Sequence, residues 1–148
     1  MKNIVLILSI IVSASFSLKA QVEFKASISK DAVMIGEPFK LEYKINQNFD
    51  KFTLPEFEDF EVITGPSTSM QQSINFTNGH MEKTVSVTYT YFLRAKDDVS
   101  GTQTIEPAEV KINGEFYYSN PVDIIVIEGK YHNPNEDKGK DIEGTSRL

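Results

Sequence analysis

The chain has 148 residues, 24% of them charged, a net charge of −6, two histidines, no tryptophan and no cysteine. Without cysteine there is no disulfide framework, no thiol catalysis and no cysteine-ligated zinc. The acidic balance excludes nucleic-acid binding, which needs clustered Lys and Arg against the phosphates.

Residues 1–20 read as a signal peptide. Lys2 supplies the positive end, Ile4 to Phe16 an apolar run relieved only by small residues, and Ala20 a small residue before a cut that leaves Gln21 first. The run is about thirteen residues, short of the roughly 20 that a membrane-spanning helix needs. The expectation is a periplasmic or exported chain with no membrane span of its own after cleavage and, lacking cysteine, no lipid anchor of the lipoprotein kind. Loss of Lys2 and Lys19 leaves 13 basic against 21 acidic residues, a mature charge of −8.

From Val22 the hydropathy alternates with a period of two. Val22, Phe24, Ala26 and Ile28 face one way and Glu23, Lys25, Ser27 and Ser29 the other, which predicts a half-buried strand. Lys30 to Pro38 reads as a turn closed by Gly36 and Pro38. Phe39, Leu41, Tyr43 and Ile45 form the next inward face. Asn46 to Gly65 reads as an irregular crossing segment pinned to the core by Phe49, Phe52, Phe57 and Phe60, with Pro55 and Pro66 bounding a short strand at 61–64. Ser67 to Phe76 is a polar extended stretch. Asn78-Gly79 then predicts a two-residue hairpin turn, because both positions accept positive φ. The returning strand carries Val85, Val87, Tyr89, Tyr91 and Leu93 on one face and Thr84, Ser86, Thr88 and Thr90 on the other.

Asp97 to Gly101 make a turn, 102–105 a short strand, and Pro107 a break before a strand at 109–112. Asn113-Gly114 repeats the hairpin chemistry, 116–119 pairs back, and the apolar run after Pro121, Val122 to Ile127, predicts burial on both faces. Roughly seven to nine antiparallel strands spaced by turn signals predict an all-β fold, an immunoglobulin-like Greek-key β-sandwich over residues 21–129. Residues 130–148 have little to bury and read as a disordered tail or linker.

The catalytic inventory is thin. His80 follows directly on a turn, His132 lies in the tail, and no serine sits in a G-x-S-x-G elbow. Glu56, Glu58, Asp59 and Glu61 read as a solvated acidic loop around buried phenylalanines, and the tryptophans on which sugars stack are missing. The sequence therefore predicts no enzyme, no cofactor and no metal. A sandwich binds partners by adding a strand to an edge or through its end loops. Met70, Gln71 and Gln72, on the polar strand, form the candidate interaction edge. The alternative is a small-ligand or carbohydrate-binding domain that uses Phe116, Tyr117 and Tyr118.

The order of motifs also carries a resemblance. Ser29-Lys30, Ile35-Gly36-Glu37-Pro38-Phe39, Pro55, Phe57, Asp59-Phe60 and Gly65-Pro66-Ser67 come first. Tyr89, Tyr91, Leu93, Gly101, Ile105, Pro107-Ala108, Val110, Asn113-Gly114 and Ser119-Asn120-Pro121-Val122 follow. Over about residues 22–129 this resembles the first domain of the BatD family, the oxygen-tolerance or aerotolerance proteins. The resemblance implies an envelope protein without enzymatic activity. It further implies protein partners in the envelope, among them von Willebrand A-type proteins encoded in the same operon with a MoxR-type ATPase. It offers no catalytic motif, and carries over Gly36, Pro55, Gly65, Pro66 and Pro107 only as backbone-shaping positions.

Overall fold

The computed structural model describes residues 21–135; the signal-peptide reading at 1–20 and the tail from 136 onward lie outside the described residues. Among those described there are ten strands and no helix. One layer is a four-stranded antiparallel sheet. Its spatial order is β1 (Phe24–Ile28), β3 (Phe39–Ile45), β6 (His80–Ala95) and β5 (Phe60–Thr77). That order, with the first strand beside the third and the fifth on the outside, is the A-B-E-D sheet of immunoglobulin-like sandwiches.

The facing layer is interrupted. One half holds β4 (Lys51–Thr53), β8 (Glu109–Ile112) and β9 (Glu115–Tyr118), and the other β2 (Ala32–Ile35), β10 (Val122–Lys130) and β7 (Gly101–Ile105). The break falls at Pro107 and Pro121, where proline has no N–H for a continuous ladder. Ser119 bridges the gap. Its N–H donates to the Ala108 carbonyl at 3.0 Å, and its hydroxyl accepts the Ala108 N–H at 3.0 Å. This double link explains why Ser119 is buried among apolar neighbours.

Between the layers the period-two pattern does the packing. Phe39, Leu41, Tyr43, Ile45, Tyr91 and Leu93 from one sheet meet Val33, Ile105, Val110, Ile124 and Val126 from the other. Phe52 reaches across from the crossing segment, stacked on Tyr89 at 4.7 Å and edge-on to Tyr43 at 5.5 Å. Such ring pairs add stabilisation beyond their buried area. Tyr43 is fully buried, and among the described residues its hydroxyl has no hydrogen-bond partner. Burial, and secondarily the neighbouring Tyr91, raise its pKa far above the ordinary phenol value. Tyr43→Phe removes the orphan oxygen and keeps the ring. It should raise stability by about 1 kcal/mol, read as a higher urea midpoint at unchanged slope.

Three sequence expectations are corrected. The supposed turn at Lys30 to Pro38 contains β2, which pairs parallel with β10; an edge position beside a long strand overrides the turn-rich composition, and one strand pair is therefore not antiparallel. The crossing segment includes the short strand β4, held by pairing with β8. The run Val122 to Ile127 is buried on one face only, with Ile124 and Val126 inside and Ile125 and Ile127 about half exposed, because none of the described residues covers the outer side of that layer. The strand there runs to Lys130, and the Tyr131 N–H donates to the Ile35 carbonyl.

Candidate functional site

The two edges of the four-stranded sheet are treated differently. At β1 the edge is closed, because the Asn120 carboxamide accepts the Ala26 N–H at 2.9 Å and donates to the Ala26 carbonyl at 3.0 Å. A side chain thus occupies the central N–H and C=O pair that an incoming strand would use. Asn120→Ala leaves both groups without that partner and should cost about 1–2 kcal/mol, measured by thermal unfolding.

At β5 the edge is open. Every residue from Glu61 to Thr77 is exposed. The irregularities of the β5–β6 ladder are confined to Val62 through Ser67, and from Ser67↔Thr90 to Thr77↔His80 the register is unbroken. Protected edges carry charges, prolines or bulges. The stretch from Ser67 to Thr77 has none of the three. At its base Gly65 has φ +132°, and a Cβ there would lie 2.9 Å from the Tyr91 ring and 3.0 Å from the Thr90 carbonyl. Only glycine lets the two strands approach this closely.

Beyond the sandwich β5 and β6 continue as a two-stranded ribbon with two unlike faces. Cross-strand partners share a face, so Met70, Gln72, Ile74 and Phe76 lie with Met81, Lys83, Val85 and Val87. This face prolongs the core side of the sheet. Val85 and Val87 are buried at the base, whereas Met70, Ile74, Phe76 and Met81 are 60%, 55%, 76% and 66% exposed. The opposite face is polar throughout, from Ser67, Ser69, Gln71, Ser73 and Asn75 to Glu82, Thr84, Ser86 and Thr88. An apolar face left in water on one element marks an interaction surface.

Of the candidate edge residues, Met70 and Gln72 lie on the apolar side, with the Gln72 amide 3.8 Å from the Met70 sulfur, and Gln71 lies on the polar side. Ile74, Phe76 and Met81 escaped the sequence reading. The signal was present as a period of two in both arms, once the Asn78-Gly79 turn fixes which residues are opposite.

The other sequence positions do not converge. Asn78 and Gly79 have φ of 51° and 77°, and Asn113 and Gly114 of 50° and 85°, at the tips of two separate hairpins. Gly36 and Gly101 also take positive φ, at turns far apart in the chain. Beside Gly36, the Glu37 carboxylate accepts from Lys30 at 2.6 Å and from the Met34 N–H at 2.9 Å, which together hold its pKa below the ordinary value. Pro55 lies in the crossing segment.

The acidic loop is tied down by its neighbours. Glu61 takes two bonds from Arg94, at 2.9 and 2.7 Å, the Glu58 carbonyl accepts from the Lys96 ammonium, and the Asp59 carbonyl from the Lys96 N–H. Glu56 to Phe60 and Thr102 to Glu106 line a cleft of about 490 Å³. Among the described residues no three His, Asp or Glu side chains come together as a metal cage. His80 is exposed at the ribbon tip.

On β9, Phe116 and Tyr118 are exposed on one face while Tyr117 turns toward the core. Their cross-strand partners are Lys111 and Glu109 rather than other rings, with the Lys111 ammonium 5.5 Å from the Phe116 centroid. Hydrogen bonds to Glu109 and Glu115 raise the pKa values of Tyr118 and Tyr117 respectively.

No curated protein matches the chain. The family model described as the BatD DUF11 like domain matches residues 26–126. That span runs from the middle of β1 into β10 and takes in both layers, the Pro107–Pro121 interruption and the whole β5–β6 ribbon. With the sandwich matched almost from end to end, the chain belongs to the BatD family.

Proposed function

We propose that this chain is a non-enzymatic protein-interaction module of the cell envelope, exported with cleavage near Ala20, that serves a BatD-type complex linked to oxygen tolerance. It engages protein by strand addition at β5. The observation that carries the reading is the contrast between the sheet's two edges. Asn120 blocks β1, while Ser67 to Thr77 offers a regular, uncharged ladder with an apolar face behind it. Strand addition draws affinity from main-chain hydrogen bonds and specificity from alternate side chains, and this ribbon supplies both. Membership of the family supports partners among the von Willebrand A-type proteins encoded with it.

Gln72→Pro tests the reading. The Gln72 N–H points away from β6, so proline costs no internal ladder bond yet obstructs an added strand. Purified chain and variant are compared for binding to the von Willebrand A-type proteins by calorimetry. A loss of tenfold or more in the variant is expected. Equal binding by both would remove the edge from the reading, and no binding by either would remove these partners.

The exposed Phe116 and Tyr118 rings, two residues apart on one face of β9, favour a second reading as a small-ligand or carbohydrate platform. A glycan array with Phe116→Ala as control decides it. Binding that survives the substitution, or no binding at all, removes it.

A further inference from the structure

We infer that the occupant of the β5 edge is a second copy of this chain, with β5 pairing antiparallel to its own equivalent about a two-fold axis at Gln72. The inference rests on the edge reading above, and at this edge a second copy and a strand of a von Willebrand A-type protein compete.

The backbone states which groups are available. Asn78 and Gly79 both have positive φ, so the turn is of type I′ and Thr77 and His80 form its hydrogen-bonded pair. Alternation along an antiparallel ladder then directs the N–H and C=O of the odd-numbered β5 residues toward β6. Those of Thr68, Met70, Gln72, Ile74 and Phe76 point outward.

The side chains state the register. With the axis at Gln72, Met70 faces Ile74 of the second copy, Ile74 faces its Met70, and Thr68 and Phe76 face each other. On the other side Ser69 faces Asn75, Gln71 faces Ser73, and Ser67 faces Thr77. On the apolar face Met70 meets Ile74 on either side of the axis, the Phe76 ring meets the Thr68 methyl and the two Gln72 amides meet at the axis, and every pair on the polar face is hydrogen-bonding. The whole regular stretch is used, and the apolar stripes of two ribbons become continuous across the axis.

Charge points the same way. Two copies of the mature chain, at −8 each, repel, and they meet at least cost where neither contributes charge to the contact. From Thr64 to Thr77 β5 has no ionisable side chain, and the Glu82 and Lys83 of β6 lie one strand back, on opposite faces of the ribbon, with a summed charge of zero.

The area sets the strength. Ser67 to Thr77 spans about 37 Å, and a sheet edge is roughly 10 Å thick, which gives on the order of 370 Å² per copy. This is under half of what a standard stable interface buries on each side. The dimer is accordingly weak and reversible.

The natural chain has no cysteine, so introduced thiols report single contacts. Gln72→Cys should give a covalent dimer on mild oxidation, because hydrogen-bonded antiparallel partners lie about 5.5 Å apart at Cα, inside the disulfide range. Lys25→Cys, on the closed β1 edge, should stay monomeric. By sedimentation velocity, Gln72→Glu and Gln72→Lys should each dimerise at least tenfold more weakly than the natural chain, since like charges then oppose at the axis. Their equimolar mixture should recover association. A natural chain that stays monomeric up to about 500 µM, or a charge pair whose mixture recovers nothing, overturns the inference. If the chain is monomeric and Gln72→Pro still abolishes binding to a von Willebrand A-type protein, the interaction-module reading stands and only the second copy as occupant is lost.

Discussion

Gly65→Ala is expected to destabilise the protein by about 3 kcal/mol, with the β5–β6 ladder lost first. Two penalties combine at that position. Its φ of +132° is a conformation that residues with a Cβ rarely adopt, at a cost of about 1–3 kcal/mol. The added methyl would also meet the Thr90 carbonyl at 3.0 Å and the Tyr91 Cα at 3.1 Å, backbone atoms that cannot swing aside. Tyr91 belongs to the core and pairs with Leu41 on β3, so relief of the clash by moving β6 would open the main sheet. The cheaper relief is to release β5. Urea unfolding should show the lowered midpoint, and amide exchange should show protection lost in β5 and the distal part of β6 before the rest. Unchanged exchange in β5, with a stability loss below about 1 kcal/mol, would show that the close approach is not what holds the strand.

Phe39→Ala is expected to cost about 3–5 kcal/mol, the range for large aromatic truncations in a packed core. Phe39 is 1% exposed, pairs with Leu93 on β6, and packs edge-on against Phe60 at 5.4 Å. Phe60 is the first residue of β5 and its one buried side chain, so the ring pair also anchors the start of the edge strand. Phe76→Ala is the informative comparison. Phe76 is just as aromatic but lies on the exposed ribbon, and its removal should change stability by no more than about 0.5 kcal/mol. Paired unfolding curves of the two variants would distinguish a ring held for the fold from one held for contact. Equal losses would mean that the ribbon is covered within the monomer.

Much of this was legible in the chain because side chains in a strand alternate faces whatever the surroundings. Phe39, Leu41, Tyr43 and Ile45 announce one inward face and Val85 to Leu93 another, and both lie in the core or at its margin. Turns were legible for a similar reason, as Asn-Gly tolerates the two positive φ values that a tight hairpin needs. Pro107 was legible as a break because proline lacks the N–H. What the break did, dividing one layer into two halves joined by Ser119, depended on a contact between residues eleven apart.

Local sequence misled where a strand owes its existence to its neighbour. β2 has turn-like flanks and forms because β10 runs alongside it. The run ending at Ile127 looked buried on both sides, since four apolar residues in succession cannot indicate whether a second layer covers them. The same limit applied at the candidate site. Met70, Gln71 and Gln72 were identifiable as residues of an exposed strand, but an open edge and a closed one are identical in composition. The difference lay in Asn120, 94 residues from the backbone groups it occupies.

The sequence by itself determined most of the strands and their inward faces, the hairpin turns and the family, because each depends on local periodicity, on φ preferences or on the order of motifs. The tertiary structure alone decided which edge of the sheet stays open, since that depends on whether a distant side chain satisfies the outward N–H and C=O groups. It also decided that the apolar face of β5 and β6 runs past the end of the sandwich, where no layer formed by the described residues faces it.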